Sequence, residues 1–328
     1  MKNVKLNDTD LMASPLGLGT VNYGTSVDKE AAKKQINQFI ALGGNFLDTA
    51  HVYGDWVPGE KGRSERVIGQ WIKENGSRDK IIISTKGAHP DLATMNISRL
   101  AAEDLIKDTD ESLHRLNTDY IDLYLLHRDD PNVPVAEIID SLEELKKQGK
   151  IRYYGCSNWT LSRIQEAQAY AKQKNMTGFV CNQTLFSLAD VNVHNMADKT
   201  LVVLDKEAYE YHEKSKMNLV AYMSIAKGYF THRLQGRALS DAQKGRYDNP
   251  VNDAIYNKLI EISKKSDLTI LDLSLKYVMM QKFPSVPLVS FSSERQLKEA
   301  MASCCKTIDQ DIMDELGDLK MFVMDVGH

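Results

Sequence analysis

Short apolar runs alternate with longer amphipathic stretches along this chain of 328 residues. The short runs are rich in β-branched and aromatic residues and predict strands over 16–21, 45–48, 81–85, 120–126, 151–156, 179–181, 219–222 and 286–289. The stretches between them have helical periodicity and predict helices over 28–42, 64–74, 97–115, 135–147, 161–174, 200–215, 251–281 and 293–300. Asp28 stands at a predicted helix start, and Gly43, Gly76 and Gly149 stand where predicted helices end.

This alternation predicts a parallel sheet, and eight strand–helix units are the number that closes into a (β/α)8 TIM barrel. A doubly wound open sheet gives the same alternation, so the pattern alone leaves that alternative open. No shift in composition and no repeat divides the chain, and we predict a single domain over residues 1–328. The polar, basic segment 227–250 interrupts the alternation and predicts a long loop after the seventh strand, either a functional lid or a surface insertion.

Composition and charge exclude several classes of function. Forty-one basic and 45 acidic residues give a net charge of −4 with no basic block, so nucleic-acid binding is not expected. No apolar stretch approaches the ~20 residues that span a membrane, and the first residues lack the apolar core of a signal peptide. The four cysteines form no CxxC motif. We expect a cytoplasmic protein with reduced thiols that acts on a small molecule; its oligomeric state is left open.

Motifs for phosphate-loop, metal-protease and dinucleotide-fold chemistry are incomplete. Glu60 stands where a phosphate loop needs lysine, and no GxGxxG follows a predicted strand. Lys216 replaces the second histidine that a zinc-protease motif beginning at His212 requires. Clustered histidines and carboxylates at strand ends are also missing, so we predict no resident metal and disfavour a metal hydrolase.

Four ionisable residues fall at or just beyond the ends of three consecutive predicted strands. Asp48 ends the second strand and is followed by Tyr53, while Lys86 and His127 follow the third and fourth strands. The carboxyl ends of barrel strands meet at one mouth, so we expect these side chains to lie together there. Each alone has a structural explanation, such as a cap, an ion pair or a buried histidine, but their joint placement favours a catalytic role.

These four residue types suit proton donation to a carbonyl oxygen. A tyrosine hydroxyl has a pKa of about 10 and is a weak acid at neutral pH. An adjacent lysine lowers that pKa, and a carboxylate holds the lysine charged and oriented. A neutral histidine can hydrogen-bond the same oxygen. The set therefore predicts the proton donor that hydride reduction of a carbonyl requires.

The chain resembles the aldo-keto reductase superfamily over about residues 16–300. The matching strings are GLGT at 17–20, NFLDTA at 45–50, STK at 84–86, DYIDL at 119–123, GKIR at 149–152 and GCSN at 155–158. The resemblance implies an (α/β)8 barrel and NAD(P)H-dependent reduction of aldehydes and ketones. It also implies a catalytic set that falls on Asp48, Tyr53, Lys86 and His127.

The resemblance further implies contacts to the cofactor. Ser157, Asn158 and Gln183 would hydrogen-bond the nicotinamide carboxamide, and Tyr222 would stack on the nicotinamide ring. The other residues expected along the cofactor are Gly19, Thr20, Asp48, Met223, Ile225, Lys227, Ser290, Ser292 and Gln296.

The chain departs from the family's pattern where the adenosine phosphate would bind. Val289 and Ser290 replace an expected Pro-Gly or Pro-Lys pair, and Ala300 replaces an expected asparagine. Arg295, the cation of this segment, lies one position from the family's arginine, and Ser224 stands where proline is usual. The resemblance implies NADP, while these departures keep NAD as an alternative.

Loops at the barrel mouth should shape the pocket for a carbonyl substrate. Trp56 and Trp159 are candidates for its aromatic walls beside the catalytic tyrosine and histidine, unless they pack on their own barrel. Arg128 would favour a carboxylate or phosphate on the substrate, unless it pairs with Asp129 or Asp130. The leading hypothesis is an oxidoreductase for an aldehyde, ketone or aldose. A cofactor-binding regulatory subunit with little turnover would carry the same motifs and stays an alternative.

Overall fold

The first residues form a small antiparallel hairpin that closes one end of the fold. The computed structural model describes residues 1–325, with side chains described through residue 320. The hairpin pairs β1 (Val4–Lys5) with β2 (Met12–Ala13). Its buried Leu6 and Leu11 belong to the same apolar cluster as the residues that fill the barrel interior. Two-residue strands carry no periodic signal, so the sequence did not predict this hairpin.

Eight parallel strands close into a barrel, which confirms the predicted fold and excludes the open sheet. The ring closes between the last strand and the first, with Leu288 opposite Gly17. The strands are β3 (Gly17–Gly19), β4 (Phe46–Asp48), β5 (Ile82–Gly87), β6 (Ile121–Leu126), β7 (Ile151–Ser157), β8 (Cys181–Leu185), β9 (Asn218–Tyr222) and β10 (Ser285–Val289).

Helices surround the barrel and follow the strands as the alternation predicted. The Asp28 carboxylate accepts a hydrogen bond from the Ala31 amide and caps the first helix, and Gly76 ends the second in a left-handed conformation. The helices are α1 (Lys29–Ala41), α2 (Arg63–Asn75), α3 (Ala102–Leu116), α4 (Val135–Lys147), α5 (Leu161–Gln173), α6 (Lys206–Ser215), α7 (Tyr229–Leu234), α8 (Asp241–Tyr247), α9 (Pro250–Lys265), α10 (Ile270–Met279), α11 (Glu294–Ser303) and α12 (Gln310–Asp325).

Three predicted helices have clearly different bounds in the structure, and polar caps account for two of them. The predicted helix 97–115 begins only at Ala102. The predicted helix 251–281 is divided into α9 and α10, and Thr269 with Asp272 forms a capping box at the start of α10. The predicted helix 200–215 begins only after Asp205, whose side chain caps α6. Residue 200 lies in a turn, and residues 201–204 run extended beside β8.

The segment 227–250 is a folded part of the molecule, and its prediction as a long loop was wrong. It contains the short helices α7 and α8, and Ser240 and Gln243 form a capping box at the start of α8. Tyr229, Phe230 and Tyr247 are buried and pack against one another. These elements are too short for a periodic signal, so the sequence showed only their polar residues.

Within residues 1–325, none of the helices combines the length and apolar character that crossing a bilayer requires.

The catalytic candidates lie at the opposite end of the barrel from the hairpin, where the strands end. The cleft described below is built there, as is usual for such barrels.

Candidate active site

Asp48 and Lys86 form a buried ion pair between adjacent strands. Asp48 ends β4, Lys86 is near the end of β5, and the two strands pair with Asp48 opposite Ser84. Lys86 Nζ lies 2.7 Å from Asp48 Oδ2, and both side chains are almost fully buried. Such a pair is costly to break because either charge would be left alone in a poorly solvated site.

The Lys86 ammonium group connects this ion pair to Tyr53. Lys86 Nζ donates to the Thr49 carbonyl oxygen at 2.7 Å and to Tyr53 Oη at 3.3 Å, in addition to Asp48. An ammonium group has three N–H donors, so all of them are engaged. Because the Tyr53 oxygen accepts from Lys86, its own proton is free to be donated elsewhere.

The second oxygen of Asp48 is held by two further side chains. Asp48 Oδ1 accepts from Ser84 Oγ at 3.0 Å and from Gln183 Nε2 at 2.8 Å. Ser84 was not among the residues predicted for the site, although it lies two residues before Lys86 and therefore on the same face of β5. Gln183, expected at the nicotinamide carboxamide, here orients the Asp48 carboxylate as well as lining the cleft.

Lys86 was expected to lower the pKa of Tyr53, but in the structure this pKa is raised. Burial raises the pKa of Tyr53, and the charge of Lys86 opposes this rise without cancelling it. Burial lowers the pKa of Lys86, but Asp48 and Tyr53 more than compensate and leave it above its usual value. Tyr53 is therefore a protonated phenol beside a charged ammonium at neutral pH, which is the state that a proton donor needs.

His127 is a neutral imidazole on the wall of the same site. Its ring centroid lies 5.9 Å from that of Tyr53, and the His89 ring packs edge-on against it at 4.7 Å. Burial, and then the charge of Arg128, hold the pKa of His127 well below its usual range. The Nδ1 atom of His127 has no hydrogen-bond partner among the described residues. The ring is therefore uncharged at neutral pH, and it lines the same cleft as Tyr53.

These groups line one end of a cleft of about 820 Å³. The cleft runs from Tyr53 and His127 to the start of α11. The structure brings all the residues expected at the cofactor into its lining: Gly19, Thr20, Asp48, Ser157, Asn158, Gln183, Tyr222, Met223, Ile225, Lys227, Ser290, Ser292 and Gln296.

Asn158 is fixed in the cleft by contacts from three directions. Its backbone is left-handed, with φ of 58°, and turns the chain away from the end of β7. Asn158 Oδ1 accepts from Tyr222 Oη at 2.6 Å and from the Val202 amide at 3.2 Å. Its Nδ2 atom lies 3.0 Å from Ser157 Oγ. The Asn158 side chain thereby connects the end of β7 to the end of β9.

The tryptophans do not line this cleft. Trp159 is buried, packs edge-on against Phe179 at 5.1 Å, and donates through Nε1 to the Arg128 carbonyl oxygen. Its prediction as a wall of the substrate pocket was therefore wrong, because the left-handed turn at Asn158 directs the next side chain away from the cleft. Trp56 is 49% exposed, and its contact with substrate stays a prediction.

Arg128 does line the cleft, but it pairs with neither of the predicted carboxylates. Its Nη2 atom lies 3.0 Å from Asp198 Oδ2. Asp129 is instead paired with Arg163, at 3.0 Å, and Asp130 accepts from the Asn132 amide. The partner of Arg128 thus comes from a distant part of the chain, which proximity in sequence could not indicate.

Comparison with known proteins agrees with this geometry. A model of the Aldo/keto reductase family matches residues 15–320. The chain belongs to the aldo/keto reductase family. YqkF of Bacillus subtilis, named as an uncharacterized oxidoreductase, is 30% identical over 305 residues, which are 91% of this chain and 90% of that protein. Norsolorinic acid reductase of Aspergillus flavus is 26% identical, with 96% of this chain and 79% of that protein covered.

Among solved structures, an aldo-keto reductase of Bacillus halodurans in its holo form matches with a TM-score of 0.75 and 26% identity. The match covers 97% of this chain and 96% of that one. Membership of the aldo/keto reductase family indicates an oxidoreductase that acts on carbonyl compounds.

Proposed function

We propose that this aldo/keto reductase reduces an aldehyde, ketone or aldose carbonyl to the alcohol with NADH or NADPH, Tyr53 supplying the proton. The observation that carries the proposal is the Tyr53 hydroxyl on the wall of a long cleft, bonded to the buried Lys86 that Asp48 holds in an ion pair. A hydroxyl that accepts from a charged lysine is polarised towards proton donation. The same groups would run the reverse reaction, with Tyr53 as the base.

The cleft fits a nicotinamide nucleotide. Ser157 and Asn158 line the catalytic end, and Ser290 and Ser292 line the cleft beside the N-terminus of α11, where phosphate is favoured. The hydroxyls of Ser290 and Ser292 donate to the Gly19 carbonyl oxygen and to Gln296 Oε1, and a bound phosphate would compete for them. A Cβ at residue 19 would lie 2.9 Å from Ser290 Oγ, so a larger residue there would displace this hydroxyl from the cleft wall. When bound, the reduced nucleotide supplies the hydride.

The side chains then have separate tasks. The neutral His127 ring and the Tyr53 hydroxyl hydrogen-bond the carbonyl oxygen and orient the substrate. Tyr53 gives its proton to that oxygen as negative charge develops there. Lys86 stabilises the phenolate that remains, and Asp48 keeps Lys86 in position through the contact at 2.7 Å.

The reduction rate should not depend on pH around neutrality and should fall only at high pH. Burial lowers the pKa of His127 and raises that of Tyr53, so the ring stays neutral and the phenol protonated between the ordinary values of about 6.5 and 10. We expect kcat/KM for reduction to be flat across this interval and to fall as the pH rises through the elevated pKa of Tyr53. A pH–rate profile with saturating cofactor measures this, and an inflection near neutrality would contradict it.

The residues that line the cleft near α11 indicate how strongly the protein should distinguish NADPH from NADH. Arg295 bonds Glu299 at 2.7 Å, its side chain is 86% exposed, and it does not line the cleft. The segment therefore offers hydroxyls rather than a guanidinium to a 2′-phosphate. Although the family resemblance implies NADP, we expect the dissociation constants of NADPH and NADH to lie within about tenfold of each other. Fluorescence titration measures both, and a far larger preference for NADPH would point to Lys227 or Arg237 as its ligand.

Turnover of a carbonyl panel tests the function itself. The purified protein is assayed with each cofactor against sugars, aliphatic and aromatic aldehydes and ketones, following the loss of nicotinamide absorbance. Reduction of at least one class, abolished by loss of the Tyr53 hydroxyl, supports the proposal. Tight cofactor binding with no turnover of any member would favour the regulatory subunit instead.

A further inference from the structure

Arg128 is a cation at the catalytic end of the cleft that the reaction described above does not use. Among the cleft-lining residues that the structure describes, it is the one lysine or arginine outside segment 227–237. It directly follows His127, and its side chain is only 10% exposed. Burial raises the pKa of Tyr53 and of Tyr222, and the charge of Arg128 acts against both rises. Arg128 therefore lines the same cleft as Tyr53 and Tyr222, near enough for its charge to act on both phenols.

The guanidinium of Arg128 is held in place by hydrogen bonds that use only some of its N–H donors. Its Nε donates to Thr200 Oγ1 at 2.7 Å, its Nη2 to Asp198 at 3.0 Å, and its Nη1 to the His127 carbonyl oxygen at 2.8 Å. A guanidinium has five N–H donors, so one hydrogen on each terminal nitrogen has no partner among the described residues. Two such hydrogens in one plane match the two oxygens of a carboxylate.

A segment tied down by hydrogen bonds, residues 198–204, holds this guanidinium. Asp198 Oδ1 accepts from both the backbone and the hydroxyl of Thr200, and the Leu204 amide donates to the Leu185 carbonyl oxygen of β8. The Asp198 side chain is 38% exposed, so water weakens its compensation of the Arg128 charge. An anion in the cleft would therefore meet the guanidinium of Arg128 already held in position. The charge of Asp198, partly screened by water, would compete with that anion only weakly.

From this geometry we propose that Arg128 is a specificity residue that selects carbonyl substrates carrying an anionic group, a carboxylate or a phosphate, near the reacting carbon. The inference rests on the function proposed above and names its substrate class. Because Arg128 and His127 line the same end of the cleft, and Arg128 Nη1 bonds the His127 carbonyl oxygen, we expect the anionic group to lie within a few bonds of the carbonyl. Asp198 sets the strength of the selection by competing with the substrate for the guanidinium.

The test compares matched charged and neutral substrates. Succinic semialdehyde and its methyl ester form one pair, and glyceraldehyde 3-phosphate and glyceraldehyde form the second, which distinguishes carboxylate from phosphate. We expect the wild type to prefer the charged member of at least one pair in kcat/KM. Arg128→Gln should lower that preference by about tenfold or more, the effect of losing a charge-assisted contact.

Asp198→Asn should change the preference for the charged substrate in the opposite direction to Arg128→Gln, and this contrast excludes a merely structural effect. Asparagine keeps the shape and the acceptor for Thr200 but removes the competing charge, so the preference for the charged substrate should rise. Lys199→Gln is the matched control, because it removes a surface cation next to Asp198 that bonds the His194 carbonyl oxygen outside the cleft. Its preference should equal that of the wild type. A loss of stability common to both site variants would not produce opposite changes.

Calorimetry with 4-hydroxybutyrate, the reduction product of succinic semialdehyde, adds a readout that needs no turnover. For the holoenzyme we expect weaker binding by Arg128→Gln and tighter binding by Asp198→Asn. Turnover of neutral carbonyls with no preference for charged ones, and equal product binding by all variants, would overturn the role of Arg128 while leaving the proposed function intact. Absence of all turnover would instead reject the proposed function, and the calorimetry would still decide the anion site.

Discussion

Tyr53→Phe should lower kcat for carbonyl reduction by about 10²- to 10⁴-fold, the range that a positioned proton donor contributes. The substitution removes the oxygen that accepts from Lys86 Nζ at 3.3 Å, while the ring that packs against His127 stays. Cofactor affinity should change little, because the groups expected to hold the nucleotide lie elsewhere along the cleft. Single-turnover kinetics with preloaded cofactor separate the chemical step from binding.

Tyr170→Phe is the matched control for this experiment. Its hydroxyl bonds Asp140 on the surface at 3.0 Å, away from the cleft, so the same atom is removed without touching the site. The control should retain wild-type turnover. Near-normal reduction by Tyr53→Phe would show that another group donates the proton and would remove the basis of the proposed mechanism.

Lys86→Met should cost both activity and stability. Asp48 is 2% exposed, and without the ammonium its charge would be compensated by the hydrogen bonds from Ser84 and Gln183 alone. Breaking one side of a buried ion pair costs about 3–5 kcal/mol in the free energy of unfolding. Turnover should also fall, since no cation would stabilise the phenolate of Tyr53. Urea denaturation and steady-state kinetics measure the two effects.

The double variant Lys86→Met with Asp48→Asn separates these effects. Removing both charges abolishes the uncompensated carboxylate, so much of the lost stability should return. Activity should not return, because the cation beside Tyr53 is still missing. Recovery of turnover along with stability would mean that the pair has a structural role only.

The sequence was sufficient to predict the barrel and the positions of its catalytic candidates. Asp48 and Lys86 lie at or near strand ends, and closure of a parallel barrel places such ends at one mouth whatever the loops do. Side-chain direction was predictable inside strands but not beyond them. Trp159 lies one residue past a left-handed asparagine, and the backbone angle that turns it away has no signature in its neighbours.

The pKa of Tyr53 and the ion-pair partner of Arg128 could not be predicted from the sequence. The proximity of Lys86 to Tyr53 followed from strand order, but the net pKa of the phenol depends on how deeply the site is buried. The partner of Arg128 is separated from it by 70 positions, so local carboxylates were the wrong candidates. Such pairings depend on where distant loops meet above the barrel.

The N-terminal hairpin has a practical consequence. The Asn7 amide donates to the side chain of Asn218 at the start of β9, and Asn45, just before β4, contacts Ser14. The hairpin therefore covers the face from which the strands begin, remote from the mouth. Tethering the protein to a solid support through its first residues would leave the whole cleft facing bulk solvent, which makes that terminus the natural point of attachment for an immobilised catalyst.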